Sequence, residues 1–251
     1  MKRKIIAFDL DGTLAESKSA LADEMAEILN ELLAHFQVCV ISGGKFEQFE
    51  KQLLANLKAD PIKLEALHLM PTCGTRYYNY NVVEANWRLV YTEDFTKNEK
   101  DKIIDALNKA LDKTGMREEK LWGEIIEDRG SQVTLSALGQ EAPVDAKEAW
   151  DPDQSKKERL RKEIAELIPE FEVRAGGTTS IDITKLGIDK AYGMKKLMEM
   201  LEVSKEEIMF FGDRLAVGGN DYPVMAMGID SLEVSHWQDT ALALRAILAV
   251  S

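Results

Sequence analysis

Ile5-Ile6-Ala7-Phe8-Asp9-Leu10-Asp11-Gly12-Thr13-Leu14 decides the fold. Its first four residues are an unbroken apolar run, and a strand covered on both faces of a parallel sheet reads that way. Two carboxylates and a glycine end the run. Next, Leu21, Met25, Ile28, Leu29, Leu32 and Leu33 recur at three- and four-residue spacing, the stripe of a helix burying one face. Val38-Cys39-Val40-Ile41 is a second buried strand, closed by Ser42-Gly43-Gly44, and Phe46, Phe49 and Leu53 mark another helix. Such alternation predicts an α/β core built on a doubly wound parallel sheet. It returns late in the chain, with a helix over Lys190–Leu201 and a buried strand Ile208-Met209-Phe210-Phe211 running into Gly212-Asp213. A weaker strand over 230–234 and a helix over 240–250 follow.

The middle has another pattern. Tyrosines and valines over 77–90 predict a hairpin, and 99–111 a helix. Residues 124–130 and Gln132–Ser136 read as strands paired around Gly130, and Ser155–Leu167 as a charged amphipathic helix. Residues 171–174 and 180–183 read as an antiparallel pair turning at Gly176-Gly177. Hairpins with two helices predict an α+β insert. The expected organisation is a core of 1–83 and 186–251 with an inserted domain over 84–185.

At 251 residues the chain is long enough for one large domain or two moderate ones. With 45% hydrophobic and 30% charged residues it has the composition of a globular protein rather than a disordered one. A net charge of -12 repels nucleic acid and anionic lipid at long range, so neither is an expected partner. No apolar stretch is long enough to span a bilayer. Only Ile5–Phe8 separates the basic start Lys2, Arg3, Lys4 from Asp9, too little for the apolar part of a signal peptide. Two cysteines, Cys39 and Cys73, make neither a disulfide framework nor a four-thiolate zinc site. A cytoplasmic protein is the expectation.

In a parallel sheet Asp9, Asp11, Ser42 and Asp213 all fall just past the carboxyl ends of apolar strands, the edge where open α/β sheets bind ligands. Converging carboxylates resist ionisation unless a cation sits between them, and oxygen donors suit Mg²⁺. A carboxylate beside a metal can attack phosphorus, and a second one two residues on can protonate the leaving oxygen.

Phe8-Asp9-Leu10-Asp11-Gly12-Thr13-Leu14 resembles the nucleophile motif of the haloacid dehalogenase (HAD) superfamily. Ser42 resembles its second motif, Lys190 its third, and Gly212-Asp213 with Asp221 its fourth. Within that superfamily the chain resembles the eukaryotic-type phosphomannomutase branch. The matching segments are Phe210–Arg214 with Gly218–Asp221, 127–129, 136–139, and Gly176–Asp182 followed by Gly187–Lys190. The resemblance implies a HAD core with a mixed α/β cap, Mg²⁺, an aspartyl-phosphate intermediate, a small phosphorylated sugar as partner and pairing of two copies through the cap. Carried over by position, it makes Asp9 the nucleophile and a metal ligand. Asp11 becomes the acid/base with its carbonyl on the metal, and Asp213 a further ligand. Lys190, Ser42 and the adjoining Gly43 hold the transferring phosphate, with Asp221 and Asn220 supporting the metal loop. In the cap, Arg129 takes the substrate's distal phosphate, and Ser180 and Asp182 the sugar near the hinge.

The chain departs from that pattern at several arginines. Gln140 stands where one follows the Ser-x-x-Gly segment, only Lys147 is basic between Pro143 and Glu148, and Lys18 replaces the arginine after the nucleophile motif. Arginine grips phosphate through a planar fork, lysine as a point charge, and glutamine supplies no charge. A mutase must hold a bisphosphate and let it turn round, which needs a strong second phosphate site. The expectation is therefore a HAD phosphatase acting on a small sugar phosphate. The alternatives are a phosphomannomutase, favoured by the whole-chain resemblance, and a catalytically silent sugar-phosphate binder. His35, His68 and His236 lack ligand spacing and read as structural or surface residues, and Arg129 has a plain alternative as a strand charge paired with Glu127.

Overall fold

The computed structural model describes residues 3–176 and 178–250. Gly177, half of the turn expected at Gly176-Gly177, and Lys2 of the basic start lie outside them. Contacts divide the chain into two compact units: one runs to Thr92 and resumes at Asp189, and the other is Glu93–Ile188.

The first unit holds strands β1 (Ile5–Phe8), β2 (Gln37–Ile41), β3 (Leu67–Met70), β4 (Arg76–Asn81) and β5 (Asn86–Thr92). Its helices before the insert are α1 (Asp23–Leu32), α2 (Phe46–Phe49), α3 (Ala55–Leu57) and α4 (Pro61–Leu64), with a π turn, Glu50–Leu54, joining α2 to α3. In the second unit lie α5 (Lys97–Thr114), β6 (Ile126–Asp128), β7 (Gln132–Ser136), α6 (Val144–Trp150), α7 (Ser155–Leu167), β8 (Phe171–Ala175) and β9 (Ser180–Lys185). The first unit then resumes with α8 (Lys190–Leu201), β10 (Ile208–Gly212), α9 (Tyr222–Ala226), β11 (Asp230–Glu233) and α10 (Trp237–Leu248).

The larger sheet runs β11-β10-β1-β2-β3-β4-β5. Its first five strands are parallel, and β4 and β5 are antiparallel additions at one edge. The apolar runs follow from burial on both faces. Ile6, Phe8, Val38 and Val40 pack with α1 and α10, while Ile5, Ala7, Cys39 and Ile41 pack with α8 and α9. One boundary lies elsewhere than expected. The boundary expected at 83/84 falls inside the β4–β5 hairpin, both of whose strands belong to the larger sheet, and the contacts divide the chain at Thr92/Glu93 instead. The parallel core is as expected, and the hairpin extends it with an antiparallel edge. In addition, β3 is a core strand that the sequence reading passed over.

The second unit is an antiparallel sheet, β6-β7-β9-β8. Val133, Leu135, Ile181 and Ile183 pack on α5 and α7, so these strands bury one face as their alternation requires. Gln132, Thr134 and Ser136 on β7, with Ser180, Asp182 and Thr184 opposite them on β9, form the other, polar face. α5 opens with a capping box between Thr96 and Glu99 and ends at Gly115 in the left-handed conformation. Among the described residues no helix is long and apolar enough to cross a membrane.

Candidate active site

The chain passes from β1 to β2 and β3 on one side and returns as β10 and β11 on the other, so the strand order reverses at β1/β10. Ligands bind outside the carboxyl ends of strands at such a switch point. The register sets Phe8 level with Phe211 and with Val40. Asp9 therefore leaves the sheet beside Gly212, with Asp213 and Ser42 one step further on.

Three glycines allow the side chains to converge. Gly12 has φ +82°, and a Cβ there would lie 2.5 Å from Asp213 Oδ2. On Gly212 a Cβ would lie 2.6 Å from Asp221 Oδ2. Lys190, the first residue of α8, reaches the same place because Gly193 lets the helix press onto the loop after β3, where a Cβ would meet the Cys73 carbonyl at 2.7 Å. A glycine inside a helix costs about 1 kcal/mol relative to alanine, so Gly193 marks a close approach that the sequence reading missed.

Lys190 Nζ lies 2.7 Å from Asp9 Oδ1 and 2.6 Å from Asp221 Oδ1, with all three side chains buried. Asp221 Oδ2 also accepts the Arg214 main-chain N–H at 3.1 Å. Burial pushes the Asp9 carboxyl up to about 7, against the pull of Lys190 and with a further push from Asp221. Burial, then Asp221, raises Asp213 as well. For Lys190, burial works against the charge, but Asp9 and Asp221 outweigh it and the ammonium ends above its ordinary value.

A cation fits this balance. Asp9, Asp213 and Asp221 each offer an oxygen, all within 4.8 Å of one another, and Lys190 pairs with Asp9 and Asp221. Asp213 Oδ1 is buried with no hydrogen-bond partner among the described residues. Hard oxygen donors and surplus negative charge suit a divalent ion. Asp221, expected to support the metal loop, lies within this cluster.

The remaining expected residues are placed as follows. The Asp11 carboxylate accepts from Gln48, Gln52 and the main-chain N–H of Lys18. Both glutamines went unnoticed in the sequence, where they look like ordinary polar positions of an amphipathic helix. Lys18 is exposed and meets Asp11 through its backbone. Ser42 is buried at the end of β2, its Oγ accepting from Gly44 N at 3.2 Å, with Gly43 between them. Asn220 is exposed beside Asp221. In the second unit, Arg129 donates from Nε to Glu127 Oε2 at 2.8 Å, Asp182 Oδ1 accepts from Thr134 Oγ1 at 2.7 Å, and Ser180 Oγ pairs with Ser136 Oγ at 2.9 Å.

The sequence model of the haloacid dehalogenase-like hydrolases matches residues 6–227. The chain is similar to a phosphomannomutase of Encephalitozoon cuniculi, 25% identical over 232 residues that cover 89% of this chain and 84% of that protein. It is also similar to phosphomannomutase 1 of Homo sapiens, 26% identical over 258 residues, covering 98% of this chain and 92% of the relative. Among solved structures, the Plasmodium falciparum IMP-nucleotidase has a TM-score of 0.75 at 18% identity, over 100% of this chain and 70% of that one. A haloacid dehalogenase-like hydrolase from Bacteroides thetaiotaomicron has a TM-score of 0.67 at 16% identity, over 98% and 100%. At those identities the structural likeness speaks for the fold alone.

Proposed function

The chain belongs to the haloacid dehalogenase-like hydrolases, here a phosphotransfer enzyme, and from that premise we propose a Mg²⁺-dependent phosphatase that acts on a small sugar phosphate. Asp9 attacks phosphorus in line and forms an aspartyl-phosphate while Asp11 protonates the departing oxygen. Water then attacks the aspartyl-phosphate, and Asp11 takes its proton. Lys190 neutralises Asp9 and, with the Ser42 hydroxyl, stabilises charge on the phosphoryl oxygens. Asp9, Asp213 and the Asp11 carbonyl would hold Mg²⁺, with Asp221 beside them, and the ion would supply the charge that lets phosphate approach these carboxylates.

The choice of water as acceptor rests on one observation in the second unit. Gln140 stands where the resemblance places a phosphate-gripping arginine, and its amide nitrogen is buried with no hydrogen-bond partner among the described residues. Arg129, the arginine that remains, already spends two of its nitrogens on Glu127. A second phosphate finds less positive charge than a bisphosphate intermediate needs.

A second reading, a phosphomannomutase, is favoured by the likeness to phosphomannomutases over 89% and 98% of the chain. Incubation with mannose 1-phosphate and glucose 1-phosphate, with and without a hexose bisphosphate activator, separates the two. A phosphatase yields free phosphate; a predominance of the 6-phosphate would make the chain a mutase.

A further inference from the structure

Three N–H groups hold the Asp11 carboxylate, and two of them come from neighbouring turns of one helical segment. Oδ1 accepts the Lys18 main-chain N–H at 2.8 Å and Gln52 Nε2 at 3.0 Å, and Oδ2 accepts Gln48 Nε2 at 2.8 Å. Gln52 Nε2 also donates to the Ser19 carbonyl at 2.8 Å. Both of its contacts are acceptors, so the amide can face only one way. Its Oε1 is then left buried with no partner among the described residues, an expensive arrangement for a core amide. Gln52 sits in the π turn Glu50–Leu54, a rare geometry that recurs at functional sites. Gln48 passes over the turn after β2, where a Cβ on Gly44 would lie 2.0 Å from its Oε1.

We propose that Gln48 and Gln52 are positioning residues that orient Asp11 so that its Oδ2 carries the transferable proton. Each carboxylate oxygen offers two lone-pair sites. Oδ1 spends both, on Lys18 and Gln52, whereas Oδ2 spends one on Gln48 and, among the described residues, keeps the other. In the first half-reaction the Asp9–phosphorus bond forms, the bond to the leaving oxygen breaks, and that oxygen takes the proton from Oδ2. In the second, water bonds to phosphorus, the bond between phosphorus and the Asp9 carboxylate oxygen breaks to return the carboxylate, and a proton of the water goes to Oδ2. The inference rests on the reading of Asp11 as the acid/base.

The test compares wild type, Asp11→Asn, Gln48→Leu and Gln52→Leu with Mg²⁺ on two esters. The p-nitrophenolate of p-nitrophenyl phosphate leaves without a proton, whereas the more basic oxygen of phenyl phosphate benefits from one. Because kcat/KM covers the steps up to departure of the leaving group, a misplaced acid should lower kcat/KM for phenyl phosphate by roughly ten- to a hundredfold. The p-nitrophenyl ester should stay within about threefold. Gln52 is buried and also ties down Ser19, so the half-buried Gln48 decides the matter if Gln52→Leu does not fold. Equal losses on both esters, or none on either, in a folded Gln48→Leu protein would overturn the inference. If Asp11→Asn keeps phenyl phosphate turnover within about tenfold of wild type, the acid/base reading fails and the inference with it. If Asp11→Asn is impaired while Gln48→Leu is not selectively so, only the role of the glutamines fails.

Discussion

Lys190 bridges Asp9 and Asp221 at 2.7 and 2.6 Å, one buried ammonium against two buried carboxylates. Removing it would leave both acids uncompensated away from water. Breaking a buried ion pair from one side costs about 3–5 kcal/mol, so Lys190→Met should lose stability of that order in urea unfolding at neutral pH. Activity should fall with it. Unchanged stability would mean that water already reaches the pair.

Asp9→Asn keeps the volume of the side chain but removes the nucleophile. Turnover should disappear while circular dichroism and the unfolding transition remain those of a folded protein. Lys190 keeps Asp221 as its partner in this variant, so the core is not left with an isolated charge. Residual activity within about tenfold of wild type would remove Asp9 from the reaction.

The acidic triad makes a prediction that does not need turnover. An ion that binds only the folded chain stabilises it, by about 2.7 kcal/mol at a hundred times its Kd. Mg²⁺ should raise the melting temperature of chelator-stripped protein, and Asp213→Asn should abolish most of that rise. Turnover should stop in EDTA and return with Mg²⁺. A melting temperature indifferent to Mg²⁺ in wild type would speak against the site.

His68 predicts how stability depends on pH. On β3 it lies between Tyr77 Oη at Nδ1, 2.7 Å, and Gln37 Oε1 at Nε2, 2.8 Å. Burial lowers its pKa from the ordinary 6.5 to about 4. Between those values the unfolded chain binds more protons than the folded one, so stability is fully present above pH 6.5 and falls as the pH drops towards 4. His68→Gln removes this titration. The stability gap between wild type and variant should narrow by about 3 kcal/mol at most from neutral pH to pH 4, read from urea unfolding at several pH values.

The same histidine shows where sequence reading stops. Leu67-His68-Leu69-Met70 is short and has a polar residue inside it, so it lacks the unbroken apolar signal of β1 or β10. Its place in the core depends on Tyr77 and Gln37 from the neighbouring strands, which only the folded sheet brings together. Likewise the β4–β5 hairpin could be read, but not which sheet it joined, because pairing of β4 with β3 is a non-local choice. Asp9, Asp213 and Lys190 were legible because each follows an apolar strand or opens a helix at the ligand-binding edge. The hold on Asp11 was not, because two glutamines four residues apart look like any polar helix face until a carboxylate is found between them.

Arg129 distinguishes a structural from a substrate-binding role for the second unit's polar face. Its Nε and a terminal nitrogen both meet Glu127 Oε2 at 2.8 Å, and both side chains are mostly buried. If the arginine only pairs with Glu127, its loss should weaken every substrate alike through a slightly less stable fold. If it also grips the distal end of a sugar phosphate, remote binding energy is lost at the step that positions the reacting phosphate. An aryl phosphate has no distal group to grip. Arg129→Ala should then lower kcat/KM for the sugar phosphate by roughly one to two decades and leave the aryl ester nearly unchanged, the order expected for a lost charge-assisted contact. Gln140→Arg works in the opposite direction, placing a charged fork where an amide nitrogen now lacks a partner among the described residues. It should raise the yield of 6-phosphate relative to free phosphate in the presence of a hexose bisphosphate. An unchanged product ratio would mean that the missing arginine is not what separates this chain from a mutase, and equal losses for both esters in Arg129→Ala would assign that residue to the fold.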